Sequence, residues 1–311
     1  VGAGPQFADL DGDGIEDLIS GSYTKGVWFF QGKTQGTFRP GVRVQRDGKD
    51  LDSNSAQAVA VTDWDGDGKL DLVIGFISGP VKWFKGQGGL QFSEGQNLMA
   101  AGRPIEASDG GPVVVDWNGD GVRDLILGEG DGDVKYFAGR PGSLDLAAPV
   151  TLIKGSGWTP LKPDEMRVGI RTKPAVGDYN GDGKLDLFVG DFHQLQPVSR
   201  RLNSAEQKEL VAATKKHEEA QRALMQYMQK NAEPMMRASY KKVMGDSAAP
   251  ASLNEIDSQK REAIVAEYMR LLNEDANYRR LTAEETQTRT AKARLQPEPV
   301  LGGHVFVLVQ R

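Results

Sequence analysis

Four gapless copies of one acidic, glycine-containing pattern, apolar runs flanking each copy, and an excess of glycine predict the fold class. It is all-β: a β-propeller of four-stranded blades, with four repeats visible and a helical insertion in the last blade. The copies are Asp9 to Gly21 (DLDGDGIEDLISG), Asp63 to Gly75 (DWDGDGKLDLVIG), Asp116 to Gly128 (DWNGDGVRDLILG) and Asp178 to Gly190 (DYNGDGKLDLFVG). Their starts stand 54, 53 and 62 positions apart. That spacing is too long for a solenoid turn of 20–30 residues and suits one four-stranded blade. The 38 glycines in 311 residues exceed the usual share of about 7 %, as many turns between short strands require.

The strands follow from the apolar runs. A first strand precedes each leading Asp: Phe7-Ala8, Val59 to Val61, Val113 to Val115, Ala175-Val176. A second follows the pattern: Leu18-Ile19, Leu72 to Ile74, Leu125 to Leu127, Leu187 to Val189. These second runs are nearly continuous, as expected of a strand buried on both faces. A third reads Val27 to Phe30, Val81 to Phe84 and Val134 to Phe137, each followed two residues later by a glycine (Gly32, Gly86, Gly139). A more variable fourth strand is placed near Phe38 to Val44 and Leu90 to Phe92.

In the last repeat the third strand is delayed. Val305 to Leu308 supplies it after about 109 inserted residues. The chain therefore divides into blades over 1–192, an insertion over 193–302 and a returning strand over 303–311. The insertion reads as helix. Ser204 with Gln207, Ser252 with Glu255 and Thr282 with Glu285 have capping-box spacing. Leu210, Ala213, His217, Ala220, Leu224 and Tyr227 form one apolar stripe. Pro234 is expected to kink or end the first helix. A second helix carries Ile256, Ile264, Tyr268 and Leu271, and a third runs from about Ala283 to Leu295.

The core of each repeat is D-x-[DN]-G-D-G-x-x-D. Side-chain oxygens fall at positions 1, 3, 5 and 9, and glycines at 4 and 6. A hard cation such as Ca²⁺ takes six to eight oxygens, and a tight loop directs alternate side chains inward. Position 7 would add a backbone carbonyl, from Ile15, Lys69, Val122 and Lys184. The spacing matches the first nine positions of an EF-hand loop but lacks its Glu at position 12. The loops together hold 14 aspartates, which would repel one another without cations.

In repeated form this pattern resembles the FG-GAP/VCBS repeat family, which includes the propeller of integrin α subunits. The resemblance covers about 1–192 and 303–311. It implies Ca²⁺, about four ions, in loops joining the first two strands of each blade. The implied ligands are Asp9, Asp11, Asp13 and Asp17; Asp63, Asp65, Asp67 and Asp71; Asp116, Asn118, Asp120 and Asp124; Asp178, Asn180, Asp182 and Asp186. Integrin-type propellers carry seven blades, and four repeats are visible here. By family geometry the insertion rises from the face opposite the calcium loops.

Composition narrows function. A net charge of −5 gives no positive field for nucleic acid. The absence of Cys rules out disulfides and thiolate zinc sites. No apolar run is long enough to span a membrane. A start at Val1 fits a mature chain released from a signal peptide, so a secreted, periplasmic or cell-surface address is expected. No nucleophile elbow or P-loop occurs. His217 sits in H-E-E-A-Q, which lacks the second His of a zincin. His193 reads as a residue of a surface turn, and Glu129, Asp131 and Asp133 as a second acidic turn.

The expected function is a calcium-binding module for a protein partner or adhesion, with the insertion as the contact element and no catalysis. Six of the eight Met lie in that insertion; they suit gap-filling between helices or an adaptable partner surface. The alternative is a lectin-like propeller binding carbohydrate through Trp64, Trp117, Tyr179, Trp28, Trp83 and Tyr136. A polysaccharide lyase ranks behind both.

Overall fold

A computed structural model describes residues 4–22, 26–34, 36–51, 56–109, 111–162, 164–197, 200–245 and 258–310. The chain separates into two units, residues 1–196 with 299–311, and residues 197–298. The first unit is built of strands and the second of helices.

Four antiparallel sheets follow one another along the first unit. Sheet one is β1 (Pro5–Ala8), β2 (Asp17–Gly21), β3 (Val27–Phe30) and β4 (Val42–Arg43), in that order. Sheet two is β5 (Ala56–Thr62), β6 (Asp71–Phe76), β7 (Lys82–Phe84) and β8 (Gln96–Asn97). Sheet three is β9 (Gly111–Val115), β10 (Asp124–Gly128), β11 (Val134–Phe137) and β12 (Val150–Ile153). Sheet four holds β13 (Ile170–Gly177), β14 (Asp186–Leu195), β15 (Val300–Gly302) and β16 (Val305–Leu308), with β15 and β16 both pairing with β14. First strands of successive sheets are neighbours, β1 to β5, β5 to β9 and β9 to β13. The arrangement is propeller-like and all-β.

The second strands explain the packing. Alternate residues of a strand point to opposite faces. Leu72, Ile74 and Phe76 of β6 join Ile19, Val27 and Phe29 in one core cluster, while Val73 joins Leu125 and Leu127 of β10 in the next. Ile126 then turns the other way, to Leu187 and Val189 of β14. All six residues of β6 and all five of β10 are buried. Continuous apolar runs are therefore required where a sheet is sandwiched on both faces.

The outer strands depart from the sequence reading. Val42–Arg43 falls inside the expected Phe38 to Val44. In sheet two, however, Gln91–Phe92 pairs with Gly86–Gly88 in a side hairpin, and Gln96–Asn97 is the outer strand. Phe92 is apolar because it enters the core, whereas the edge strand needs no apolar residue.

The returning strand pairs as expected, Gly190 with Val305 through Leu187 with Leu308. The limits of the insertion shift. β14 continues to Leu195 and pairs with Val300–Gly302, so residues 193–195 and 300–302 are the stem of a hairpin and not part of the insertion. His193 is accordingly a buried strand residue and not part of a surface turn. The insertion leaves sheet four from the end of β14 opposite the Asp178 loop.

The helical unit comprises α1 (Ser204–Met244), α2 (Ser258–Glu274) and α3 (Ala276–Leu295). α1 is capped one residue earlier than expected, by a capping box of Asn203 and Glu206. Asn203 lies outside the helix with extended backbone, which the Ncap position needs, while Ser204 is already helical. Pro234 lies inside α1 without ending it; α1 packs along both α2 and α3, and that lateral packing outweighs one missing N–H. The stripe is real: His217 and Ala220 are buried, with Leu210, Ala213, Leu224 and Tyr227 half-buried beside them. His217 lies against Thr288 and Glu285 of α3. α3 begins at Asp275, whose carboxylate accepts the Tyr278 N–H at 2.8 Å, so Thr282 is interior. The Ser252–Glu255 pair and Ile256 lie outside the described residues. Among the described residues no helix is long and apolar enough to cross a membrane.

Candidate metal centre

The four D-x-[DN]-G-D-G loops fold alike. Each joins the first and second strand of its sheet. The position-1 carboxylate organises the turn. One oxygen of Asp9, Asp63, Asp116 and Asp178 accepts the N–H of Gly12, Gly66, Gly119 and Gly181 at 2.7–2.9 Å. The other accepts from Gly14, Gly68, Gly121 and Gly183 at 2.8–3.0 Å. Both glycines of every loop have positive φ, 74–79° at position 4 and 81–85° at position 6. Side chains with a Cβ rarely take that conformation, so glycine is demanded there.

Side-chain oxygens of the repeated acidic positions gather at the turn. Asp9, Asp11 and Asp13 bring ligand atoms within 4.8 Å of one another, as do Asp63, Asp65 and Asp71. Oxygens bound to one Ca²⁺ at about 2.3–2.6 Å fall within that span. Each carboxylate oxygen that accepts one N–H keeps a further lone pair. In the third and fourth loops, Asn118 and Asn180 turn their amide N–H groups toward Asp120 and Asp182, at 2.9 and 3.1 Å. The donor set fits a hard dication. Of the position-7 residues, Ile15, Lys69, Val122 and Lys184, each N–H donates to the position-5 carboxylate at 2.9–3.0 Å.

Position 9 has a second duty. Asp17, Asp71, Asp124 and Asp186 are all fully buried. One oxygen of each accepts the position-2 N–H, from Leu10, Trp64, Trp117 and Tyr179, at 2.9–3.0 Å. The other accepts from the second residue after the third strand: Gly32, Gly86 and Gly139 at 2.6–2.8 Å, and Gln310 in sheet four at 2.8 Å. This buried carboxylate fastens the loop to strand three. The recurrent glycine also has its reason here. A Cβ on Gly32, Gly86 or Gly139 would stand 2.1–2.3 Å from the carbonyl oxygen of Glu16, Leu70 or Arg123. Burial pushes the Asp71 carboxyl up, while donors from Gly86, Trp83 and Trp64 pull against it.

Two of the repeated aromatics serve the same carboxylates. The Trp83 indole donates to Asp71 at 3.0 Å, and the Tyr136 hydroxyl to Asp124 at 3.1 Å. Burial, with Asp124 beside it, pushes the Tyr136 hydroxyl up to about 12. Trp64 and Trp117 pack against the cores between sheets. Arg43 lies over the Trp28 ring at 5.4 Å, and Tyr179 is exposed.

The sequence reading did not foresee Lys85. Its ammonium bridges Asp65 and Asp67 of the second loop, 2.7 Å from the latter. Hydrogen bonds to the two aspartates raise its proton affinity, and in turn it holds Asp67 below the ordinary carboxylate range. The signal was one Lys just after β7, where the other sheets have Gln31, Ala138 and Val309. Loops two and three rim one cleft of about 550 Å³, lined by Asp63, Asp65, Asp116, Arg123 and Arg140 among others. The acidic turn of Glu129, Asp131 and Asp133 is different: Lys135 and Lys154 already neutralise Glu129 and Asp133, at 2.6 and 2.7 Å.

Comparison with known proteins agrees with the loops. The FG-GAP-like repeat model matches three times, over residues 9–74, 63–127 and 116–189. No curated protein matches. Among solved structures, a chain of the Photorhabdus luminescens Tc holotoxin pore is similar over 60 % of this chain, at 25 % identity and a TM-score of 0.34. The match spans only 8 % of that chain's length. The repeat matches run through most of the strand unit, and the chain belongs to the FG-GAP-like repeat family.

Proposed function

We propose that this chain is a calcium-stabilised interaction module, its four sheets acting as propeller blades and its helical unit as the element that meets a protein partner. The observation that carries this reading is the fourfold repetition of one loop geometry, in which the position-1 carboxylate accepts the position-6 glycine N–H. Calcium would be held by the side chains of positions 1, 3, 5 and 9, with position 9 also bracing the loop to strand three. Its chemistry there is charge neutralisation, which locks the turn between the first two strands. Extracellular modules bind Ca²⁺ with Kd of about 10⁻⁴–10⁻³ M, which suits a secreted, periplasmic or cell-surface setting.

Support for a protein partner over a glycan comes from the aromatics. Trp83 is buried against a carboxylate, and Trp64 and Trp117 are half-buried in cores, so few ring faces are left for sugar stacking. The helical unit leaves and re-enters through one hairpin stem, so it can be removed without breaking the repeats. The test is affinity capture from native extracts in calcium, with the whole chain and with a variant joining Gln196 to Pro299 by a short turn. Loss of the same captured protein on deletion and on chelation is expected. Equal recovery in all three samples would refute the helical unit as contact element.

A further inference from the structure

Asp191 and His193 stand two apart on β14, on one face of sheet four, and His304 precedes β16 opposite them. We propose that these three side chains form a binding site for a first-row transition dication, zinc foremost, that clamps the root of the helical insertion. Their ligand atoms lie within 4.8 Å of one another. Asp191 Oδ1 is 3.4 Å from His193 Nδ1, and Asp191 Oδ2 is 3.7 Å from His304 Nδ1. Ligands bound to zinc at about 2.0–2.1 Å in a tetrahedron stand about 3.3–3.4 Å apart. The present separations are therefore close to a coordination edge, and 3.7 Å is too long for a hydrogen bond.

Three observations favour a metal over a plain polar cluster. His304 Nδ1 is buried and has no hydrogen-bond partner, the condition of a ligand atom awaiting its ion. The Asp191 side chain is fully buried, and its two oxygens each accept one backbone N–H, from His304 and Gly169, both at 2.6 Å. Those donors fix the carboxylate's orientation, as outer partners of metal ligands do. Finally, glycines make the room. A Cβ on Gly302 would meet the His193 ring at 2.6 Å, and one on Gly169 would stand 3.0 Å from the Asp191 carboxylate. The imidazole rings stack at 4.1 Å with planes 16° apart, so one ring must turn out of the stack to bring both in-plane lone pairs onto one ion. His193 is 3 % exposed and His304 31 %, which leaves the fourth position open on the His304 side.

The donor chemistry separates this site from the aspartate loops. Ca²⁺ takes oxygen ligands, while two imidazoles and a carboxylate suit zinc and its neighbours. The three residues flank the helical unit in sequence, so one ion would tie together the two strands of the stem.

The test uses the full chain, stripped of metal and dialysed into about 2 mM Ca²⁺ to fill oxygen sites. Zinc is then titrated against a chromophoric chelator. One zinc per chain is expected. His304→Ala should weaken it by more than the roughly 100-fold that losing an outer partner can cost, and His217→Ala, in the helical unit, should leave it unchanged. Should His193→Ala not fold, cobalt in the unmodified chain replaces it as readout, with a tetrahedral visible band that excess zinc abolishes. Zinc should also slow amide exchange across Val305–Leu308. No zinc uptake in calcium, or equal uptake by all the histidine variants, would overturn the site. Zinc uptake without that protection would overturn the clamp.

Discussion

The strand unit and the helical unit of this chain are held by opposite kinds of information. In the strand unit each second strand is sandwiched between neighbours, and its loop is fastened by a buried aspartate to a residue 15 positions on, or 124 on in sheet four. In the helical unit the stabilising contacts are largely local or pairwise: a capping box, an apolar stripe and exposed ion pairs such as Lys242–Glu267 and Arg270–Glu267. One unit stakes its stability on a few buried polar fasteners and, by the reading above, on metal. The other spreads it over many weak contacts. The two should therefore fail under different conditions.

Chelation is the strongest way to separate them. At about 1 mM free Ca²⁺ and a Kd near 10⁻⁴ M, each loop would gain about 1.4 kcal/mol. Four loops together should raise Tm by on the order of ten degrees. Calorimetry with calcium and then with EGTA should move the strand unit's transition while the helical ellipticity at 222 nm persists. An unmoved transition would remove calcium from the account. Next comes the fastener. Asp124→Ala leaves the N–H groups of Trp117 and Gly139 and the Tyr136 hydroxyl without their acceptor, and should cost about 3 kcal/mol in urea unfolding. Gly86→Ala drives a Cβ to 2.1 Å from the Leu70 carbonyl oxygen and should cost about 2 kcal/mol.

Lys85 offers a subtler separation, within the strand unit. Its ammonium occupies the space between Asp65 and Asp67 that a cation would take. Lys85→Met should tighten calcium binding at the second loop by roughly threefold to tenfold, as expected for one unit charge near the surface, read by calorimetric titration. The other three loops, with Gln31, Ala138 and Val309 at the position of Lys85, should not respond. Acid gives the smallest effect, and it falls on the helical unit. Glu206, held down to about 2 by Arg200 and the Asn203 N–H, and Glu267, held down to about 2 by Arg270 and Lys242, stabilise their helices fully above the ordinary value of 4.5. That contribution fades as pH falls from 4.5 toward about 2. Circular dichroism should show slight fraying over that window, and both groups are exposed, so salt should diminish it.

The same contrast explains what could be read from the sequence. The loops, the second strands and the delayed strand at Val305 were legible because each obeys a rule with strict residue demands: a positive-φ glycine, a carboxylate at fixed spacing, a two-faced apolar run. The outer strand Gln96–Asn97 was not, since two residues at a solvent edge carry no pattern. Helix caps were misplaced by one residue at Asn203 and by seven at Asp275, because several polar residues there satisfy the capping spacing and only backbone conformation decides. Pro234 was overruled by lateral packing. Lys85 and His193 were missed for a common reason: each gains its meaning from a residue far along the chain, Asp65 for one and His304 for the other.

Sheet four has a further consequence, in time. Sheets one to three each complete from strands within a few dozen residues of one another, but Leu187 finds Leu308 only after the whole helical unit has been made. Pairings so distant in sequence form slowly. On a ribosome β16 emerges after the helices, so the first three sheets and the helices can be finished while β14 still lacks that neighbour. Pulse-labelled exchange during refolding should show Val305–Leu308 protected after β6 and β10. Until then the apolar edge of sheet four stands open, and that interval is when the chain is most exposed to capture by another copy of itself.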